Sequence, residues 1–134
     1  AIAGVLAMHP EVLILDEPTA GLDPKGRDEI LDEISALHRD RHMTIILVSH
    51  SMEDIARYAD RIMVMNHGEK VFDAPPKEVF RHYKELEAIG LAAPQITYIV
   101  QGLKEHGVPI ADDITTVAEA KDAILQLLGK DERP

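Results

Sequence analysis

Two acidic residues follow directly on an apolar run: Val12-Leu13-Ile14-Leu15 ends in Asp16-Glu17. A short run of branched residues bounded by breakers predicts a strand buried on both faces of a parallel sheet. Its carboxyl end then presents two carboxylates. Neighbouring side chains on an extended segment point to opposite sides, so the two acids can do different work. Asp16 can hold Mg²⁺ through its water shell, and Glu17 can polarise an attacking water. Strand-end carboxylates also cap helices or stay solvated, so the pair alone does not define a site. A second apolar run, Thr44-Ile45-Ile46-Leu47-Val48, ends in Ser49-His50. A lone histidine after a strand is an ordinary loop residue.

Several elements must position these groups. Ala1 to Met8 reads as the tail of a buried helix, with no Ser, Thr, Asp or Asn cap before it. His9-Pro10-Glu11 breaks that helix. Pro18 to Pro24 is a loop. From about Lys25 to Arg39, Ile30, Leu31, Ile34 and Leu37 recur at helical spacing. Ser51 and Asp54 form the capping signature of a further helix, with Met52, Ile55, Ala56 and Ala59 on its apolar face. Arg61 to Met65 predicts a third strand. Asn66-His67-Gly68-Glu69 then turns tightly into a fourth at Lys70 to Phe72.

Strand and helix alternate over this stretch, which predicts an α/β domain with a mainly parallel sheet. After Ala74-Pro75-Pro76 the pattern becomes helical. Pro76 opens a short helix to about Tyr83. Ile96, Ile99, Val100 and Leu103 make a stripe that stops at Gly107. Thr116 and Glu119 predict a capping box for a last helix, with Val117, Ala120, Ile124, Leu127 and Leu128 on its apolar face. Two segments follow: residues 1–76 as an α/β core and residues 77–134 as a mainly helical extension.

The 134 residues carry 46% apolar and 28% charged side chains, the balance of a globular domain. The net charge of −10 argues against a nucleic-acid or anionic-lipid partner. No cysteine is present, which excludes disulfides and thiolate chemistry. No apolar run has the length of a membrane span.

The run Leu15-Asp16-Glu17-Pro18-Thr19-Ala20-Gly21-Leu22-Asp23-Pro24 closely resembles the Walker B and D-loop of ATP-binding cassette (ABC) ATPases. Val48-Ser49-His50 ends the next strand as that family's switch histidine does. The resemblance covers residues 1 to about 90 well and the remainder loosely. It implies a P-loop NTPase core of RecA-like type, with ATP and Mg²⁺ as cofactors. Asp16 would organise Mg²⁺ through water, and Glu17 would act as general base. Asp23 would touch a second ATPase subunit across the nucleotide sandwich, and His50 would contact the γ-phosphate. His9, His38, His42, His67, His82 and His106 lack such a context and read as surface residues.

The phosphate-loop pattern G-x-x-x-x-G-K-[ST] does not occur. The opening residues match the helix just after the family's signature. The resemblance therefore implies the C-terminal half of an ABC ATPase, incomplete and inactive alone, whose N-terminal half is a further piece. It also implies that a phosphate-loop strand from that half lies between the strands at 44–48 and 61–65.

Thr19 to Arg27, Met52 to Asp60 and Glu85 to Leu91 resemble importers of the energy-coupling factor type. Those handle cobalt, nickel or vitamins. There two ATPases dimerise beneath a transmembrane coupling protein and a substrate-binding membrane protein, at the cytoplasmic face of the membrane. The alternatives are an ATPase of another ABC transporter, or a non-transport ABC ATPase of DNA maintenance or translation.

Overall fold

The computed structural model describes residues 2–129. Ala1, the expected start of the opening helix, lies outside them. The chain divides into two compact units, residues 1–50 and 51–134.

The first unit opens with α1 (Ile2–Leu6), followed by β1 (Val12–Asp16), α2 (Pro24–Arg41) and β2 (Thr44–Val48). β1 and β2 pair in parallel, Val12 opposite Thr44 through Asp16 opposite Val48. α2 forms where a cap, a proline and an apolar stripe coincide. Asp23 Oδ1 accepts the Gly26 amide at 2.7 Å, and Pro24 fills the first turn, where its missing N–H costs nothing. The helix ends at His42 in left-handed conformation, and the Met43 carbonyl lies 2.8 Å from His38 Nδ1. Leu31 and Ile34 of α2 are buried, as are Leu13 and Leu15 of β1 and Met43. Each such side chain contributes about 1.5–3 kcal/mol on burial.

The expectation of strands buried on both faces fails here. β1 alternates exposed and buried, and Val12, Ile14, Ile46 and Val48 are 47–66% exposed. The reason is geometric: side chains alternate across a strand, and α2 is the long helix of this unit, so burial falls on one set only.

The second unit begins with α3 (Met52–Tyr58), whose Ser51 cap accepts the Asp54 amide at 3.4 Å. The antiparallel hairpin of β3 (Ile62–Asn66) and β4 (Glu69–Ala74) follows. His67 and Gly68, with φ of 49° and 81°, make the two-residue turn. Two positive φ values match the right-handed twist of the strands. Asp73 receives the Arg61 guanidinium and Lys70 Nζ, which ties β4 to the start of β3. β1–β2 and β3–β4 form separate two-stranded sheets, one in each unit.

Four helices complete the unit: α4 (Pro76–Arg81), α5 (Tyr83–Ala88), α6 (Gln95–Glu105) and α7 (Val117–Leu127). The short helix expected from Pro76 to about Tyr83 is α4, which ends at Arg81, and α5, beyond His82, is an element the pattern did not announce. Ile62, Val64, Val79, Phe80, Leu86 and Ala93 form one apolar cluster. Val100, Ile110, Ile114 and Ala120 form another. Gly107 ends α6 as expected, with φ of 81° and the Val108 amide reaching back to Leu103 at 3.0 Å. The capping box of α7 is reciprocal. Thr116 Oγ1 accepts the Glu119 amide at 3.3 Å, and Glu119 Oε2 accepts the Thr116 amide at 3.2 Å. Two apolar stripes are narrower than expected. Ile99 of α6 and Val117, Leu127 and Leu128 at α7 are exposed, while Val100 and Ala120 carry the burial.

Candidate active site

The in-register pairing of β1 and β2 brings their carboxyl ends level. Asp16 is opposite Val48, and the ladder runs one step further: the Glu17 amide donates to the Val48 carbonyl at 2.9 Å. Glu17 then leaves the strand with φ of 47°. A left-handed backbone at a residue with a Cβ costs about 1–2 kcal/mol, so it persists only where its surroundings hold it. Here the Val48 carbonyl holds the amide, and the Glu17 carbonyl accepts from Ala20 at 3.1 Å in the turn that follows.

This kink aims the Glu17 side chain at the other strand end. His50 Nδ1 lies 2.8 Å from Glu17 Oε1. An ionised carboxylate only accepts, so Nδ1 carries the proton and donates. The Glu17 side chain is 33% exposed and that of His50 87% exposed, so the pair opens to solvent. Glu17 Oε2 and His50 Nε2 remain for other partners. Asp16 is also exposed, on the open face of the sheet shared with Ile14. Asp23 stands apart from this group, as the cap of α2.

Sequence reasoning named Glu17 and His50 separately but missed their direct contact and the Val48 carbonyl that kinks Glu17. The signal was present in two apolar runs of matching length that both end at polar residues. The six histidines read as surface residues are all exposed.

Among the described residues no group of three or more His, Asp or Glu side chains is placed to hold a metal ion. A single exposed carboxylate suits Mg²⁺, which keeps several waters and takes its remaining ligands from phosphate oxygens. Asp16 fits that role as one contributor.

The chain is similar to several known proteins. A family model described as "AAA domain, putative AbiEii toxin, Type IV TA system" matches residues 1–54, the stretch that holds all four candidate residues. The energy-coupling factor transporter ATP-binding protein EcfA2 of Clostridium tetani is 59% identical over 129 residues, covering 96% of this chain and 45% of that protein. EcfA2 of Geobacillus kaustophilus is 50% identical over 131 residues, covering 97% and 45%. A solved structure of cbiO1 from Clostridium perfringens, titled as part of the ABC transporter complex cbiONQ, aligns with a TM-score of 0.57 at 40% identity. That alignment covers 75% of this chain and 40% of the other. The chain thus spans about half the length of the curated relatives it matches.

The mixed α/β arrangement with its parallel strand pair, which aligns with cbiO1 at 40% identity, is the P-loop NTPase fold of ABC transporter subunits. Over nearly its whole length the chain is similar to the ATP-binding proteins of energy-coupling factor transporters.

Proposed function

We propose that this chain is the hydrolytic half of the ATP-binding subunit of an energy-coupling factor importer, driving uptake of a metal ion or vitamin. The observation that carries the reading is the Glu17–His50 contact at the carboxyl end of a parallel strand pair. The identity with EcfA2 proteins over nearly the whole chain supports it. Phosphoryl transfer to water needs a positioned nucleophile and neutralised charge rather than covalent chemistry. Glu17 Oε2, left open by the histidine, takes the proton of the attacking water. His50 holds the other carboxylate oxygen and so fixes the direction of the base. Its Nε2 faces away from Glu17 and, when that nitrogen carries a proton as well, is the donor for a terminal phosphate. Asp16 would hold Mg²⁺ through its water shell, and the ion would supply charge neutralisation.

Asp23 contacts a second ATPase subunit while it caps α2, which keeps the loop from Pro18 to Pro24 in one shape. Residues 1–76 form the α/β core and 77–134 an extension that braces one ATPase against its partner. The partners are a second ATPase subunit, a transmembrane coupling protein and a substrate-binding membrane protein. The likeness to transporter ATP-binding proteins supports a peripheral subunit at the cytoplasmic face of the membrane; no described helix is long and apolar enough to cross a membrane.

The test is Glu17→Gln in the complete subunit. Loss of the base with shape retained is expected to slow ATP hydrolysis roughly 10²-fold or more while nucleotide binding stays intact. Near-normal turnover would reject Glu17 as the base.

A further inference from the structure

The second unit holds two apolar clusters, and a row of ion pairs crosses between the elements that build them. α4 contributes Val79 and Phe80 to one cluster, while the segment from Ile110 to Ala120 contributes to the other. Lys77 of α4 meets Glu119 Oε1 at 3.0 Å and Asp113 Oδ2 at 3.6 Å. Arg81, one helical turn on, meets Asp112 Oδ1 at 3.6 Å. Lys104 of α6 takes the other Asp112 oxygen at 3.0 Å.

Glu119 has two duties in this row. Its Oε2 accepts the amides of Thr115 and Thr116 at 2.9 and 3.2 Å, which caps α7. Its Oε1 takes Lys77. The carboxylate that starts α7 therefore also fastens it to α4. The electrostatics agree with the geometry: the hydrogen bond to Glu119 raises the Lys77 pKa, and the hydrogen bond from Lys104 lowers that of Asp112.

We propose that Lys77 and Arg81 on α4, facing Asp112, Asp113 and Glu119, form an electrostatic latch that fastens the α6–α7 pair and releases it when charge is screened. Exposed single pairs contribute little, but several that share carboxylates act together. Salt distinguishes this latch from general loosening. The chain carries a net charge of −10, so screening relieves its overall self-repulsion and favours the compact state. Exchange that quickens with salt only at the seam is then a property of the latch. The inference does not depend on the proposed activity.

The experiment is hydrogen–deuterium exchange by mass spectrometry on this chain. Salt is raised from about 20 mM to about 500 mM, across which the screening length falls from roughly 20 Å to roughly 4 Å. Exchange across residues 110–120 is expected to quicken by roughly 3- to 10-fold, with the hairpin from Ile62 to Ala74 unchanged. Lys77→Gln and, separately, Asp113→Asn are expected to show fast exchange at low salt and a reduced response to more. Lys121→Gln, an exposed lysine on α7, is expected to behave like the parent chain. Exchange that is indifferent to salt at 110–120, that quickens equally in the hairpin, or that is unmoved at low salt by both seam variants would overturn the latch.

Discussion

His50 Nδ1 sits 2.8 Å from Glu17 Oε1, although 33 positions separate the two residues in the chain. The distance follows from register. Asp16 faces Val48, so the residues just beyond each strand emerge side by side. A shift of one residue would turn every side chain of one strand to the opposite face and part the pair. The Glu17 kink sets the final direction, since its amide is tied to Val48 and its φ is positive.

The first prediction reads this bond directly. In the isolated chain, ¹⁵N spectra of the histidine rings are expected to show His50 in the Nδ1-protonated form, which is otherwise the less common neutral tautomer. Glu17→Gln should shift the His50 ring nitrogens and leave those of His67 unmoved. A His50 spectrum identical in the two proteins would show that the contact is not populated in solution.

The second prediction concerns nucleotide. Backbone amides of a glycine-rich loop and its lysine supply most phosphate contacts in P-loop enzymes, and the sequence contains no such loop. The chain alone is therefore expected neither to bind Mg-ATP tightly nor to hydrolyse it. Calorimetric titration should give no saturable heat in the micromolar range. Micromolar affinity would mean that the exposed ends of β1 and β2 bind phosphate by themselves.

How far this could be read from sequence depended on the kind of signal. The strands at 12–16 and 44–48, the α7 capping box and the His67-Gly68 turn were legible because each is a local pattern with a local cause. The contact between Glu17 and His50 was implied only as two roles, because register is a property of two strands together. The apolar stripes misled in a consistent way. Ile14, Ile99 and Val117 sit in apolar patterns yet are exposed. Pattern reports what a face can cover, whereas burial also needs an element placed over it. The break between α4 and α5 at His82 carried no proline or glycine to announce it.

The third prediction uses that one-sidedness. Leu13 and Ile14 are neighbours on β1, 4% and 66% exposed. In this chain Leu13→Ala is expected to cost about 2–5 kcal/mol, the range for emptying a packed site. Ile14→Ala should stay within about 0.5 kcal/mol, as surface changes do. Urea unfolding of the first unit compares the two. Equal losses would mean that both faces of β1 are covered in solution.

The last prediction concerns acid. Asp73 is held between Arg61 and Lys70, and the hydrogen bond from Arg61, then that from Lys70, lowers its pKa from 3.8 to about 2. A carboxyl whose folded pKa is depressed binds fewer protons folded than unfolded near that pKa. Its contribution to stability is therefore fully present above the unfolded value and declines as pH falls through the folded one. The window for this hairpin runs from about pH 4 down to about pH 2. Asp73→Asn removes the charge and keeps the shape. The gap in urea midpoint between the parent chain and this variant is expected to be constant from neutral pH to about pH 5, and to close between about pH 4 and about pH 2. The readout is a hairpin-specific probe, such as the amide resonances of Val64 and Phe72, because other carboxylates titrate in the same range. A gap that stays constant down to about pH 2 would mean that Asp73 is not the ion-paired anchor of β3 and β4 in solution.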